Sequence, residues 1–408
     1  MKKFFIILAV LFLLLSSVLL FKKTENGRTV IRFSSWGSQS ETELLIPLIL
    51  EFERQNPDID MEFVHIPQNY FQKLHLLFAS NLAPDVVFIN NYYAPKYIEA
   101  GLLEDLSYYI DESKYFDKAL DGFKFNGKIY AVPRDVSNLV VYYNKSLFDK
   151  YNVKYPANGW TFDDYLKTAK IFAKHGVWGT SFETEPVFWL PYLMSNGGGI
   201  LSDDGKSIVI NKTVSLNALD FYADLANKYK AAPKKSDSAS LTMAQLFLQQ
   251  KIAMHVSGRW LVPKYRKDAL FDWDIAPFPK GSKGSIVNID SSGYALSKSS
   301  KHKKEALRFI EFISSEKSLN TLAKSGLIVP ARKDSAYSEV FLDRKQKPYS
   351  AKVFLDIIET GKATPVNKNY QKITDTLNKA LEPLFLGKEK ARNVVTDRLL
   401  IDLSRYAY

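Results

Sequence analysis

The chain has 408 residues, 46% of them hydrophobic and 14% aromatic, which suits a folded protein too long for a single core, so two lobes are expected. Its formal charge of +11 is scattered without a dense basic run or nucleic-acid motif, which argues against nucleic acid as a partner. There is no cysteine, so thiol catalysis and disulfides are excluded; the five histidines, His65, His75, His175, His255 and His302, show no metal-ligand spacing, and no metal or cofactor is expected.

Met1-Lys2-Lys3 is followed by an unbroken apolar run from Phe4 to Phe21 and then by Lys22-Lys23. This is the pattern of an export signal, but it is long for one and has no A-x-A-like cleavage site. At about 1.5 Å per residue it reaches roughly 27 Å, enough to span a bilayer. Residues 1–28 are therefore a cleaved signal peptide or an uncleaved membrane anchor, and either exports the rest of the chain.

From Thr29 onward, short apolar strands alternate with helices of 3.6 periodicity, which predicts an α/β fold. Strands are expected at 29–33, 59–64 and 85–89. Between them lie a helix from a capping box at Ser40 to about Arg54, kinked at Pro47, and a second helix over 70–82. A third helix ends at Gly101. Further on, strands are expected at 138–143, 252–256 and 272–276. Helices are expected at 162–174 after Thr161, at 216–228, at 241–249 and at 303–314, the last with Ala306, Phe309, Ile310 and Ile313 on one side. Parallel α/β sheets bind ligands beyond the carboxyl ends of their strands. That rule selects Trp36 and Ser38 after the first strand and Asn90 to Tyr93, including Tyr92, after the third. An aromatic cluster against three glycines, VFWLPYLMSNGGG at 187–199, suits a flat ligand face and close backbone approach.

Several ordered segments carry a resemblance. They are PDVVFINNYYAPKYIEAGLLEDL (84–106), GKIYAVPRDVSNLVVYYNKSLF (127–148), EPVFWLPYLMSNGG (185–198), FLQQKIAMHVSGRW (247–260), SSGYALSKSSKHKKEALRFIEFISS (291–315) and GLIVPAR (326–332). Together the chain resembles the extracytoplasmic solute-binding proteins of carbohydrate ABC importers, the family that includes maltose-binding protein, from about Thr29 to the C-terminus. The resemblance implies a two-lobe periplasmic-binding-protein fold of type II, each lobe a mainly parallel sheet flanked by helices. The lobes would be 29–137 plus 291–328 and 138–290 plus 329–408. Hinge crossovers would lie near Val136 to Leu139, Asn288 to Ser292 and Val329 to Arg332. It also implies a sugar or polyol ligand, closure of the lobes around it, a monomer, and permease subunits of an importer as partners.

A pyranose has apolar C–H faces and a rim of hydroxyls, so flat aromatics and planar polar groups are the side chains to seek. Trp260 matches the position at which the family stacks a sugar ring; packing between the lobes is its other reading. Tyr370 falls where the family carries another aromatic. Trp36 and Trp189 are candidates that could equally close the core, whereas Phe188, Leu190 and Leu193 read as core. Glu185 matches an acidic contact of the maltose-binding pattern or else opens a helix. Asn90 and Tyr92 contact ligand or cap their loop. Asp135, preferred to Arg134, flanks the first crossover, and Arg332 binds ligand or ties the third. Asn196 and Gly293 are the positions in the glycine-rich segments expected to touch ligand. Tyr92, Tyr93, Val187 and Ser137 depart from the maltose pattern, so the ligand is expected to be an oligosaccharide or similar polyol other than maltose, with a glycerophosphate-type compound as the alternative.

Two other classes remain. An exported glycan hydrolase needs paired carboxylates, but Asp203-Asp204 reads as a turn and Asp163-Asp164 as the first turn of a helix. A sensor subunit reporting to a receptor would carry the same cleft.

Overall fold

The computed structural model describes residues 27–234, 236–237 and 241–407. The apolar segment read as signal or anchor lies outside the described residues through residue 26. Among the described residues no helix is long and apolar enough to cross a membrane.

Strand β1 (Thr29–Ser35) pairs in parallel with β2 (Ile59–His65) from Thr29 opposite Ile59 to Ser35 opposite His65, and with β3 (Val86–Asn90) through Phe33 opposite Val86. A small hairpin joins β4 (Lys124–Phe125) to β5 (Lys128–Ile129). Its turn is Asn126-Gly127, both at positive φ, as a tight hairpin requires. Four more strands complete the main sheet: β6 (Val132–Ser137), β10 (Asn288–Leu296), β11 (Val329–Pro330) and β12 (Lys362–Ala363). The order is β11-β6-β10-β3-β1-β2, with β12 alongside β10. A second sheet has β7 (Val140–Asn144) between β8 (Met254–Ser257) and β9 (Trp273–Ala276).

Mainly parallel sheets were expected in both lobes. The first sheet is mixed, because β10 runs against both β3 and β6, and in the second every pair is antiparallel. In the first sheet the reason is topological: β10, reached from the second sheet, enters against the direction of β3 and β6.

Local patterning explains most helices. Phe162–Lys174 begins with the capping box Thr161/Asp164. Lys303–Ile313 buries Ala306, Phe309, Ile310 and Ile313, and Phe309 packs 5.1 Å from Phe33 of β1. The first helix starts earlier than expected, at Gln39, because extended Ser38 is the true cap and accepts from the Glu41 N–H. It runs on through Pro47 to Gln55. The next helix, Tyr70–Ala79, stops before the expected residue 82, where Asn81 adopts φ +58°.

The chain passes from the first sheet to the second at Asn138-Leu139, between β6 and β7. Beside that passage Val136 faces both Ser291 of β10 and Val329 of β11, so the segments expected as crossovers lie side by side. Asp290, buried and without a cationic side chain beside it among the described residues, accepts from Asn91 Nδ2 (2.9 Å), Thr364 Oγ1 (2.6 Å), Asn288 Nδ2 (2.7 Å) and the Tyr92 hydroxyl. Burial pushes its carboxyl pKa up, against the pull of these donors.

Lys118 forms a further tie. Its Nζ donates to the carbonyls of Ile358 (2.7 Å), Glu359 (2.8 Å) and Gly361 (2.7 Å), at the C-terminal end of the helix Lys352–Thr360. A cation suits this end, where backbone carbonyls lack helical partners and the dipole is negative. Replacing Lys118→Met is expected to lower the unfolding free energy by about 1–3 kcal/mol, read from urea denaturation; an unchanged midpoint would mean that water serves those carbonyls equally well.

Candidate functional site

Strand β8 ends at Ser257 and is followed by Gly258 and a tight turn over Arg259–Leu261. The turn leaves Trp260 39% exposed, unusual for a tryptophan. A Cβ on Gly258 would sit 1.9 Å from Trp260 Cζ3, so the ring lies directly on a backbone that only glycine leaves bare. The buried Tyr142 hydroxyl donates to the Gly258 carbonyl at 2.8 Å and holds the turn in place.

Trp260 is the residue shared by two spaces. One is a cavity of about 170 Å³ bounded by Trp36, Glu41, Asp135, Ser137, Ser292 and Val329, among others. The other is an open groove of about 1,080 Å³ running past Glu183, Glu185, Phe188, His255 and Glu382.

A buried charge network forms one side of the smaller space. Arg134 donates from Nη1 to Glu41 Oε1 at 2.7 Å and from Nε to Asp135 Oδ2 at 2.6 Å, with its guanidinium 4.0 Å from the centre of the Phe88 ring. Burial opposes the Arg134 charge, but the two carboxylates outweigh it and hold its pKa above the usual arginine value. Burial pushes the Asp135 carboxyl up, with Arg134 pulling the other way. The arginine is thus matched by acids on both sides.

Trp36 lies on the same cavity and begins a row of half-buried rings. It sits 5.3 Å from Phe71, which stacks on Tyr93 at 3.6 Å and 9°. Burial, and then the nearby Asp375 carboxylate, push the Tyr93 hydroxyl pKa up. Asp375, Asn378 and Glu382 are spaced i, i+3, i+7 along one face of the helix Tyr370–Phe385, and the last two line the groove. Tyr93, at the end of the row, thus lies near Asp375 of that helix.

The structure brings Trp260, Trp36 and Asp135 together at the cavity and Glu185 with Trp260 at the groove. Glu185 is exposed ahead of the helix Pro186–Met194. Other candidates sit elsewhere. Trp189, on that helix, is fully buried and donates from Nε1 to the Thr184 carbonyl, so its ring belongs to the core. Phe188, assigned to the core from sequence, is half-buried and lines the groove. Tyr92 stacks on Tyr370 at 5.3 Å and 12°, and Tyr370 lines a separate cavity of about 610 Å³ together with Gly197, Gly198 and Gly199. Asn196 bonds Tyr192 O and Ser282 N, tying two loops together. Gly293 lies at a bulge in β10, where a Cβ would meet Val132 O at 2.4 Å. Ser38 caps a helix and the Asn90 side chain caps the Tyr93 N–H. Arg332 pairs with Asp334 and faces a different hollow, beside Tyr115.

Sequence reasoning had not singled out Glu41 or Phe71, and it ranked Arg134 below Asp135. Phe71 follows the carboxyl end of β2, so the strand-end rule that selected Trp36 would have found it too.

A family model described as bacterial extracellular solute-binding protein matches residues 36–319. The chain is 24% identical over 360 residues to a putative binding protein of Brucella abortus, covering 85% of each. It is 26% identical over 279 residues to the diacetylchitobiose-binding protein of Streptomyces coelicolor, covering 64% of this chain and 63% of that one. Among solved structures, the ABC substrate-binding protein of Listeria monocytogenes in complex with cycloalternan aligns with a TM-score of 0.86 at 29% identity, over 93% of this chain and 98% of that one. Maltose-bound MalE3 of T. maritima aligns with a TM-score of 0.82 at 21% identity, over 93% of this chain and 100% of that one, a likeness of fold. The two-lobe α/β fold expected from sequence is the fold observed, and the chain belongs to the bacterial extracellular solute-binding protein family.

Proposed function

We propose that this protein captures a sugar or oligosaccharide outside the cytoplasm, between lobes formed by 29–137 plus 291–328 and by 138–290 plus 329–408, and delivers it to the membrane subunits of an ABC importer. The observation that carries this reading is Trp260, an exposed indole laid on Gly258 where a ring-sized cavity meets a long groove. Flat apolar surface for C–H faces and acidic side chains for hydroxyls are what a sugar requires. Relatives named for diacetylchitobiose and galactooligosaccharide, and the cycloalternan-bound Listeria structure, support a carbohydrate ligand. Arg134 already serves Glu41 and Asp135, which favours a neutral sugar over a phosphorylated polyol. Of the predicted contacts, Trp260, Trp36, Asp135 and Glu185 form the site in this reading.

The protein acts as a monomeric binder rather than an enzyme. A ligand touching both lobes favours closure by its differential affinity for the closed state, and the importer reads that state. Residues 1–28 export the chain and, if retained, tether it beside its transporter, raising local concentration. A thermal-shift screen of mono- and oligosaccharides tests the reading: carbohydrate hits recovered unchanged support it, and turnover of a glycan would replace binding with hydrolysis.

Trp260→Ala is expected to weaken binding of such a hit at least about tenfold, or roughly 1.4 kcal/mol, by titration calorimetry without a change in melting temperature. Gly258→Ala, which displaces the ring without removing it, is expected to weaken binding to a similar extent in the same titration. Arg134→Met would leave Glu41 and Asp135 buried without their cation and is expected to cost about 3–5 kcal/mol of stability in urea denaturation.

A further inference from the structure

We infer that the cavity of about 610 Å³ beside Gly197, Gly198 and Gly199 is a second binding site, one for a small organic phosphate. It shares no lining residue with either space at Trp260. Three lysines, Lys212, Lys283 and Lys362, meet there. Lys362 is paired with Asp203 on the same wall, whereas Lys212 and Lys283 have no ion-pair partner among the described residues. Three cations against one carboxylate leave two positive charges to spare. That is the match of a phosphate monoester, which carries about −1.5 to −2 at pH 7.

The glycines explain how the lysines come together. Gly197, at φ +83°, leaves room for the Lys283 stem, whose Cγ would lie 3.2 Å from a Cβ placed there. A Cβ on Gly198 would meet Ser215 Oγ at 2.4 Å, so only glycine lets the start of the helix Thr213–Asn227 approach this closely. Lys212 stands at the N-cap of that helix, where no side chain caps the backbone, and the positive end of the helix dipole adds to the lysine charge. Tyr370 is the independent pointer to an occupant. It is 4% exposed and lines the cavity, yet its hydroxyl has no hydrogen-bond partner among the described residues, a costly arrangement unless something accepts from it. Burial, and then the nearby Asp290 charge, push its pKa up, so it stays protonated and serves as a donor. Asp290 itself already holds four donors. A cavity of roughly 150 Å³ is enough for one benzene, so an organic body fits beside the phosphate. Leu190, Met194, Ile200, Val209 and Ile286 give that body apolar walls.

The test is titration calorimetry of the protein with phenyl phosphate, inorganic phosphate and phenol. Phenyl phosphate is expected to bind at one site per chain, at least about tenfold tighter than either fragment. Lys212→Met, Lys283→Met and Tyr370→Phe, the last keeping its ring against Tyr92, are each expected to weaken it about threefold to tenfold with the melting temperature unchanged. Lys73→Met removes the same charge from an exposed position on the helix Tyr70–Ala79 and is expected to leave binding as it was. An equal loss in Lys73→Met would assign the binding to net charge rather than to a site. Phenyl phosphate that binds no tighter than phenol, or that binds all three cavity variants as well as the parent, would remove the site. Each of these results overturns the inference and leaves the sugar reading standing.

Discussion

An indole that must face solvent needs a reason to stay ordered, and here the reason is the missing side chain beneath it. Gly258 lets Trp260 lie on the backbone, and Tyr142 holds that backbone from below. The ring lies at the meeting of cavity and groove. Around this platform lie the acids that match Arg134 on the cavity side and, through Trp36, the half-buried aromatic row.

Polar ties accompany an apolar core that runs without a break from the first sheet to the second. Asp290 gathers donors from the loop after β3, from its own strand and from Thr364, while Lys118 grips the end of a distant helix. These contacts lie beside Asn138 and Leu139, where the chain passes from the first sheet to the second. The Tyr92 and Tyr370 stack lies beside this hub and borders the separate cavity formed by the glycine run. Glycines that invited a ligand in the sequence therefore shape a different part of the surface from Trp260.

Much of this was legible in the sequence wherever the information is local. The apolar stripe of 303–313 and the Thr161 cap specify their helices without help from the rest of the chain. Trp36 followed from the strand-end rule, and Trp260 from the resemblance around SGRW. What failed depends on facing. In PVFWLPYLM nearly every residue is apolar, so no periodicity says that Trp189 points inward and Phe188 outward. Asp135 and Glu41 are carboxylates 94 positions apart whose meeting at Arg134 is purely tertiary. The antiparallel second sheet escaped for the same reason, since strand direction is set by where the chain returns from.

The most direct measurement is a crystal structure of the protein with a bound oligosaccharide from the screen. The account predicts one sugar ring against the exposed face of Trp260, with the row Trp36, Phe71 and Tyr93 drawn toward the ligand from the opposite lobe. A sugar seated instead beside Tyr370 and the glycines at 197–199, with Trp260 still facing solvent, would contradict it.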